Sequence, residues 1–250
     1  MELTITTLAQ RPELADAVLR MPDTRPHFLR QDPVGRQYFG RIAAEFPEYS
    51  LVATEPDGTV VARGFSVPFA LRAVDVPGRG ELPDAGWAQV LLWAFVDLRD
   101  GRVPDTVGAI EIFVAGDRRG RGIAGRMLTV MRANAGRLGF AEVVAPVRPN
   151  AKHLEMRAPI EEYAYRTRED GLPCDPWLRV HVRAGGEIVG IAAESMRVVG
   201  SLEQWRRCTG LPFDDAGDVE VPGALMPVRC SVQRKYAVYV EPHVWVRHRL

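Results

Sequence analysis

Residues 107–147 carry the feature that most narrows the fold. Ile110, Ile112 and Val114 alternate with Ala109, Glu111 and Phe113, the two-residue period of a half-buried strand. The turn Ala115-Gly116-Asp117 and the run Arg118-Arg119-Gly120-Arg121-Gly122 follow. Ile123, Met127, Val130, Met131 and Leu138 then recur at helical spacing as far as Gly139. Glu142 to Val147 reads as another strand. Strand, glycine-rich turn, helix and strand make a crossover between parallel neighbours, so any sheet that contains it is mixed rather than wholly antiparallel.

Upstream, Leu3 to Leu8 reads as a strand, Pro12 opens a helix through Leu19, and Val34 to Phe46 supplies a second helix after Pro33. Ser50–Thr54 and Val60–Phe65 are expected to pair through a two-residue Asp57-Gly58 turn. A Pro/Gly-rich loop from Val76 to Gly86 precedes Trp87, Val90, Leu91, Ala94, Phe95 and Leu98, one apolar helix face. Downstream, the pattern predicts a helix over Ile160–Arg168, a strand over Trp177–Arg183, and a Gly185-Gly186 turn into a strand over Glu187–Ala192. Val219–Leu250 shows short apolar alternations between prolines, expected as further strands and loops. At about 150 residues per domain the length permits one large domain or two small ones. With no repeat or low-complexity linker, the expected organisation is a core over 1–170 with a C-terminal extension, 171–250, packed on the same domain.

Composition bounds the partners. Thirty-two Lys+Arg balance 32 Asp+Glu, so there is no broad positive field for a nucleic acid. Lysine occurs only at Lys152 and Lys235, and the placement of arginines is what informs. Cys174, Cys208 and Cys230 are odd in number and lack a C-x-x-C pair, which favours a reducing compartment. The histidines form no metal-ligand spacing, although His243 and His248 could face one another across a turn, and no metal is expected. Met1–Gln10 lacks a basic stretch followed by an apolar run, and Trp87–Val96 is too short for the roughly 20 residues of a membrane span. A cytoplasmic protein without membrane partners is expected.

Gly120-Arg121-Gly122-Ile123-Ala124-Gly125 matches G-x-G-x-x-G in letters. A dinucleotide fingerprint needs its glycines directly behind the strand and an acid closing the next strand. Here Ala115–Arg119 intervene, and Glu142 opens the next strand. What the segment does offer is glycines that let backbone approach a ligand, unpaired amides at a helix start, and Arg118, Arg119 and Arg121 nearby, a pattern suited to a pyrophosphate.

Arg119-Gly120-Arg121-Gly122-Ile123-Ala124 behind Ile112-Phe113-Val114 resembles the Q/R-x-x-G-x-G/A signature of the GCN5-related N-acetyltransferase (GNAT) superfamily, and the preceding hairpin and helix pair stand in that family's order. The resemblance covers about Leu3 to Asn150. It implies an α/β (α+β) fold with a mixed, mostly antiparallel central sheet flanked by helices, elaborated at its C-terminal end by extra strands and loops. It also implies acyl transfer from acetyl-CoA or another acyl-CoA to an amine, expected to be a small molecule, by direct attack in a ternary complex. Gly120, Arg121, Gly122, Ile123, Ala124 and Gly125, with Arg119, would hold the pyrophosphate. The main chain of Ile112, Phe113 and Val114 would align the pantetheine and polarise the thioester. A carrier-protein-bound donor and a non-catalytic coenzyme A-binding domain are the alternatives, and a homodimer is compatible with all three.

Aminolysis needs a base for the amine and an acid for the thiolate. Glu111, an acid within Ala109-Ile110-Glu111-Ile112, is costly to bury without purpose or partner. It reads equally as the base that the family often places on this strand or as an arginine-paired structural acid. The family's tyrosine acid implies Tyr163 in preference to Tyr165, which points roughly 200° away on the same helix. Asn150 stands where the family often has a coenzyme or relay residue, and it also fits a simple turn.

Overall fold

A computed structural model describes residues 2–22, 25–73 and 75–250, so Met1 of the N-terminal segment lies outside the described residues. In chain order the elements are β1 (Thr4–Thr7), α1 (Ala15–Arg20), α2 (Pro33–Tyr38), α3 (Ile42–Glu45), β2 (Ser50–Thr54), β3 (Val60–Phe69), α4 (Gly86–Asp100), β4 (Thr106–Val114) and α5 (Ile123–Arg137). β5 (Glu142–Val147), α6 (Ile160–Ala164), α7 (Pro176–Arg183), β6 (Glu187–Ser201), α8 (Leu202–Thr209), β7 (Gly217–Val219), β8 (Val228–Ser231) and β9 (Tyr236–Arg249) complete them.

The strands form one sheet in the order β1-β2-β3-β4-β5-β9-β8-β7, with β6 along β9. Among the described residues only β4 and β5 pair in parallel, at Val107↔Val143 and Gly108↔Val144. Beyond that point the two strands part, while β3 follows β4 to Val114 and β9 follows β5 to Val147. The crossover expected from the sequence is therefore present, and it leaves a wedge in the middle of the sheet.

On one face of the sheet Phe65, Phe69 and Trp245 pack in one core with Trp87, Leu91 and Phe95 of α4 and Trp205 of α8. The other buries Leu51, Val61, Met127 and Met131 beneath α5. α6 and α7 cover Ala145, Val147, Val244 and Val246 on that second face. Burying a side chain of this size contributes roughly 1.5–3 kcal/mol, so the layers are held mainly by these apolar faces.

Four local expectations are corrected. Trp177–Arg183 is not a strand but most of α7. Asp175 accepts from the amides of Trp177 and Leu178, and Pro176 sits in the first turn, a start signal that overrides the apolar alternation. The helix expected over Ile160–Arg168 stops at Ala164, because Arg166 and Arg168 pair their backbones with Cys174 and Leu172. The helix expected over Val34–Phe46 is broken into α2, a 3-10 turn at Phe39–Arg41, and α3. The β2–β3 connection is longer than two residues, closing with Glu55 N–H donating to the Thr59 carbonyl.

The C-terminal third also departs from the short strands expected there. β9 runs unbroken through Pro242 because β6 yields instead. Proline has no N–H to give to a ladder. Opposite Pro242, residues 193–195 bulge out of β6 between the pairs Ala192↔His243 and Met196↔Glu241. His243 and His248 thus lie on one strand, and neither faces the other across a turn. His248 Nε2 meets His181 Nδ1 at 3.0 Å. Among the described residues no helix is long and apolar enough to cross a membrane.

Candidate functional site

The glycine-rich run forms the entrance to α5. Gly120 and Gly122 have φ of 76° and 74°, a region where side-chain-bearing residues are strained, and Gly122 is the helix N-cap with no side chain satisfying the first-turn amides. A Cβ at Gly120, Gly122 or Gly125 would meet nothing within 4 Å, so this backbone is open on its outer side. Ile123 is buried beneath the turn, Ala124 and Gly125 are half-exposed, and Arg119 and Arg121 are exposed. Beside the turn runs a groove of about 620 Å³ between Ile5 of β1, Gly125 and Thr129 of α5, and Val180 and Arg183 of α7.

The arginines of the turn have different tasks. Arg118 is committed to Glu55 through Nε at 2.8 Å and its second guanidinium nitrogen at 3.1 Å, and it also pairs with Asp117, so it braces the turn. Arg119 Nε donates to the Val114 carbonyl at 3.3 Å.

Divergence of β4 from β5 exposes one backbone edge. Ala115 N–H donates to the Val61 carbonyl, towards β3. By the two-residue alternation of a strand, Ile112 and Val114 then direct their amides to the edge that β5 has left, while Phe113 pairs towards β3 opposite Arg63. Their side chains follow the same rule. Ile112 and Val114 lie on the α5 face, and the Phe113 ring packs under Arg63, 5.2 Å from its guanidinium carbon.

Glu111 lies next to a bulge where Phe65 and Ser66 of β3 oppose Glu111 and Ala109, leaving Ile110 without a register partner. Trp87 Nε1 donates to the freed Ile110 carbonyl at 3.0 Å. The Glu111 carboxylate accepts from Arg63 Nε at 2.6 Å and from a second guanidinium nitrogen at 3.4 Å. Arg63 also donates to the carbonyls of Val18 and Met21, which ties the end of α1 to the sheet. The Glu111 side chain keeps 16% exposure against 5% for Arg63, so the acid rather than the base of this pair reaches solvent.

α6 packs on the α5 side of the sheet, whereas the Glu111–Arg63 pair faces α1. The Tyr163 hydroxyl donates to Asp175 at 3.0 Å, and the same carboxylate accepts from the amides of Ala151, Trp177 and Leu178. Burial, and then the Asp175 charge, raise the Tyr163 pKa well above that of an ordinary tyrosine. Lys152 is fully buried against it, with Nζ donating to the carbonyls of Glu155, Met156 and Leu225, and burial lowers its pKa. Asn150 is exposed just ahead of this knot, and Tyr165 is 54% exposed.

Sequence reasoning missed a second polar centre. Glu241, 0% exposed, accepts from Arg148 at 2.9 and 3.0 Å and from the Tyr239 hydroxyl at 2.7 Å, and it meets His243 Nε2 at 3.1 Å. His243 Nδ1 meets Ser195 Oγ at 2.8 Å, and that oxygen accepts from Trp87 N–H at 2.8 Å. A chain of bonds thus joins β9 to the start of α4. A Cβ on Gly86 would lie 2.3 Å from Ser195 Oγ, so only glycine allows this approach. Burial disfavours the Glu241 charge, yet Arg148 and His243 more than offset it and hold its pKa at about 2. Glu241 among Val238-Tyr239-Val240 and Val244 carried the same signal, an acid in an apolar strand, that singled out Glu111.

Compared with known proteins, the chain matches no family model. An arginine N-acetyltransferase, avaD of Aspergillus versicolor, is 31% identical over 275 aligned residues, covering 98% of this chain and 93% of the relative. Among solved structures, the loading GNATL domain of CurA from Lyngbya majuscula shares the fold with a TM-score of 0.59 at 14% identity, covering 100% of this chain and 98% of that one. A GNAT-like decarboxylase, GphF, solved with isobutyryl-CoA, gives a TM-score of 0.49 at 17% identity over 100% and 99% of the two chains.

Proposed function

The chain belongs to the GCN5-related N-acetyltransferase superfamily, and from that premise we propose that it transfers an acetyl or other short acyl group from acyl-coenzyme A to the amine of a small molecule. The observation that carries this reading is the uncapped, outward-open start of α5, set at the mouth of the wedge between β4 and β5. Acyl-coenzyme A supplies an activated thioester. The residues present fit it: the amides of Gly120 to Gly125 take the pyrophosphate, with Arg119 and Arg121 at its flank. Arg118 stays with Glu55 and takes no part in that grip.

Ile112 and Val114 offer the main-chain edge of β4 to the pantetheine, and their N–H groups stabilise the charge that develops on the thioester oxygen. Such pre-aimed donors are usually the largest single contribution to acyl transfer. Phe113 supports them through its ring. Glu111 is the proposed base for the incoming ammonium, turning one carboxylate oxygen from Arg63 to the proton while Arg63 keeps the other. Asn150 borders the wedge from the β5 side.

Tyr163 takes a positioning part in this reading. Its hydroxyl proton is directed at Asp175, and burial together with the Asp175 charge raises its pKa, which disfavours release of that proton. Tyr163→Phe is therefore expected to leave kcat within about threefold and to cost about 1 kcal/mol of stability, the worth of one hydrogen bond. A fall of a hundredfold in kcat would make it the acid.

The test of the whole reading is thermal unfolding with and without acetyl-coenzyme A, followed by mass spectrometry of amines incubated with it. Ligand at a hundred times its Kd stabilises by about 2.7 kcal/mol. No shift at saturating ligand would overturn the reading. Modification confined to peptide N-termini would overturn the small-molecule acceptor.

A further inference from the structure

Next to Glu111 the molecule builds an aromatic cradle and sets a cation in it. The guanidinium carbon of Arg25 lies 4.2 Å from the centroid of the Phe39 ring and 6.0 Å from that of Trp87. The two rings are 6.1 Å apart, and Phe39 meets Phe65 edge-on at 5.7 Å. Phe65 is the register partner of Glu111, so the cradle and the candidate base are neighbours across one strand pair.

Trp87 is a fixed wall. Its main-chain N–H is held by Ser195 and its indole N–H by the Ile110 carbonyl, the residue before Glu111. The buried chain from Ser195 through His243 to Glu241 thereby reaches the site by fixing this ring. Beneath the rings, Asp32 is 2% exposed, accepts from the Gly35 amide at 2.7 Å, and lies within the electrostatic reach of Arg25. Phe39 and Arg25 are half-buried, so this end of the cradle borders solvent.

We infer that this cradle is the side-chain subsite of the acceptor, that its ligand is a guanidinium-bearing amine, and that Arg25 holds the place a substrate guanidinium takes. The inference rests on the acyl-transfer reading only for what happens to the bound amine. A planar guanidinium stacks on aromatic faces with a preference that neutral isosteres lack. Bound there, it leaves an amine a few methylenes away free to reach Glu111. The arginine N-acetyltransferase related to this chain handles a molecule of that class.

Calorimetric titration of the coenzyme A-bound protein with arginine and with citrulline, which carries a neutral ureido group on the same skeleton, separates charge from shape. Phe39→Leu is expected to weaken arginine about tenfold and to leave citrulline within twofold, and Phe39→Tyr to restore arginine binding. Arg25→Gln, which removes the resident competitor, is expected to tighten arginine several-fold without moving citrulline. If Phe39→Leu fails to fold, the Arg25→Gln and Phe39→Tyr titrations still decide. Equal shifts for the two ligands, or weaker arginine binding in Arg25→Gln, would overturn the cradle. Arginine binding without acylation of any amine would overturn the transfer reading and leave the cradle standing. Acylation of amines with no guanidinium preference would do the reverse.

Discussion

Glu111 on β4 and Glu241 on β9 are both acids set in apolar strands, and both have an arginine partner. Around Glu241 the Arg148 guanidinium, the Tyr239 hydroxyl and His243 surround a carboxylate with no exposure. Around Glu111 a single guanidinium serves both oxygens, and part of the side chain remains open. A saturated buried carboxylate has no lone pair left for a substrate proton, whereas a carboxylate held from one side has. On the proposed reading the first locks a structure and the second takes part in the reaction, though the sequence signal for the two is the same.

The sharpest way to break that contrast is to remove the charge at Glu241. Glu241→Gln leaves the half-buried Arg148 without its counter-charge, and loss of one partner of a buried pair costs about 3–5 kcal/mol, of which the lower end applies here. For a domain of this size that is a fall in Tm of roughly 10 °C, read by thermal unfolding. Acyl transfer by the fraction that stays folded at low temperature is expected to persist. Unchanged Tm would mean that the β9 network is not structural.

An effect of comparable size should appear in acid. Burial drives the pKa of His181 down to about 3 and that of His248 to about 4, against about 6.5 in the unfolded chain. Above pH 6.5 neither state takes the protons and the pair's contribution is whole. As pH falls below 6.5, the unfolded chain binds protons that the folded chain refuses, so stability declines towards pH 4 by about 1.4 kcal/mol per unit for each histidine. Glu241 adds little above pH 4.5, because its contribution is lost between its unfolded pKa near 4.5 and about 2. Urea unfolding from pH 7 to pH 4.5 checks this, and His248→Asn should flatten the slope.

The parts that were legible in the sequence are those whose signals are local. The period of Ile110-Ile112-Val114, the glycines at 120 and 122 and the apolar stripe of α5 each sit within a few residues of what they determine. The C-terminal part depends on distant pairings. Pro242 looked like a break, yet the strand continues because residues 193–195 of β6 bulge away from it. Trp177–Arg183 reads as a strand by its apolar alternation, but Asp175 caps it as a helix. At the site, Glu111 was visible as a charge among apolar neighbours. Its partner Arg63, the wall formed by Trp87 and the resident Arg25 were not, since each is brought in from another element.

On the proposed reading Glu111 takes the amine's proton, whereas Glu241 holds the fold and, through His243 and Ser195, the Trp87 ring. The most direct test of this reading is the kcat of acetyl transfer in Glu111→Gln at saturating acetyl-coenzyme A and acceptor. A fall of about a hundredfold or more is expected, the usual worth of a general base, in a protein that still binds acetyl-coenzyme A. A kcat within threefold of the unsubstituted enzyme would contradict it.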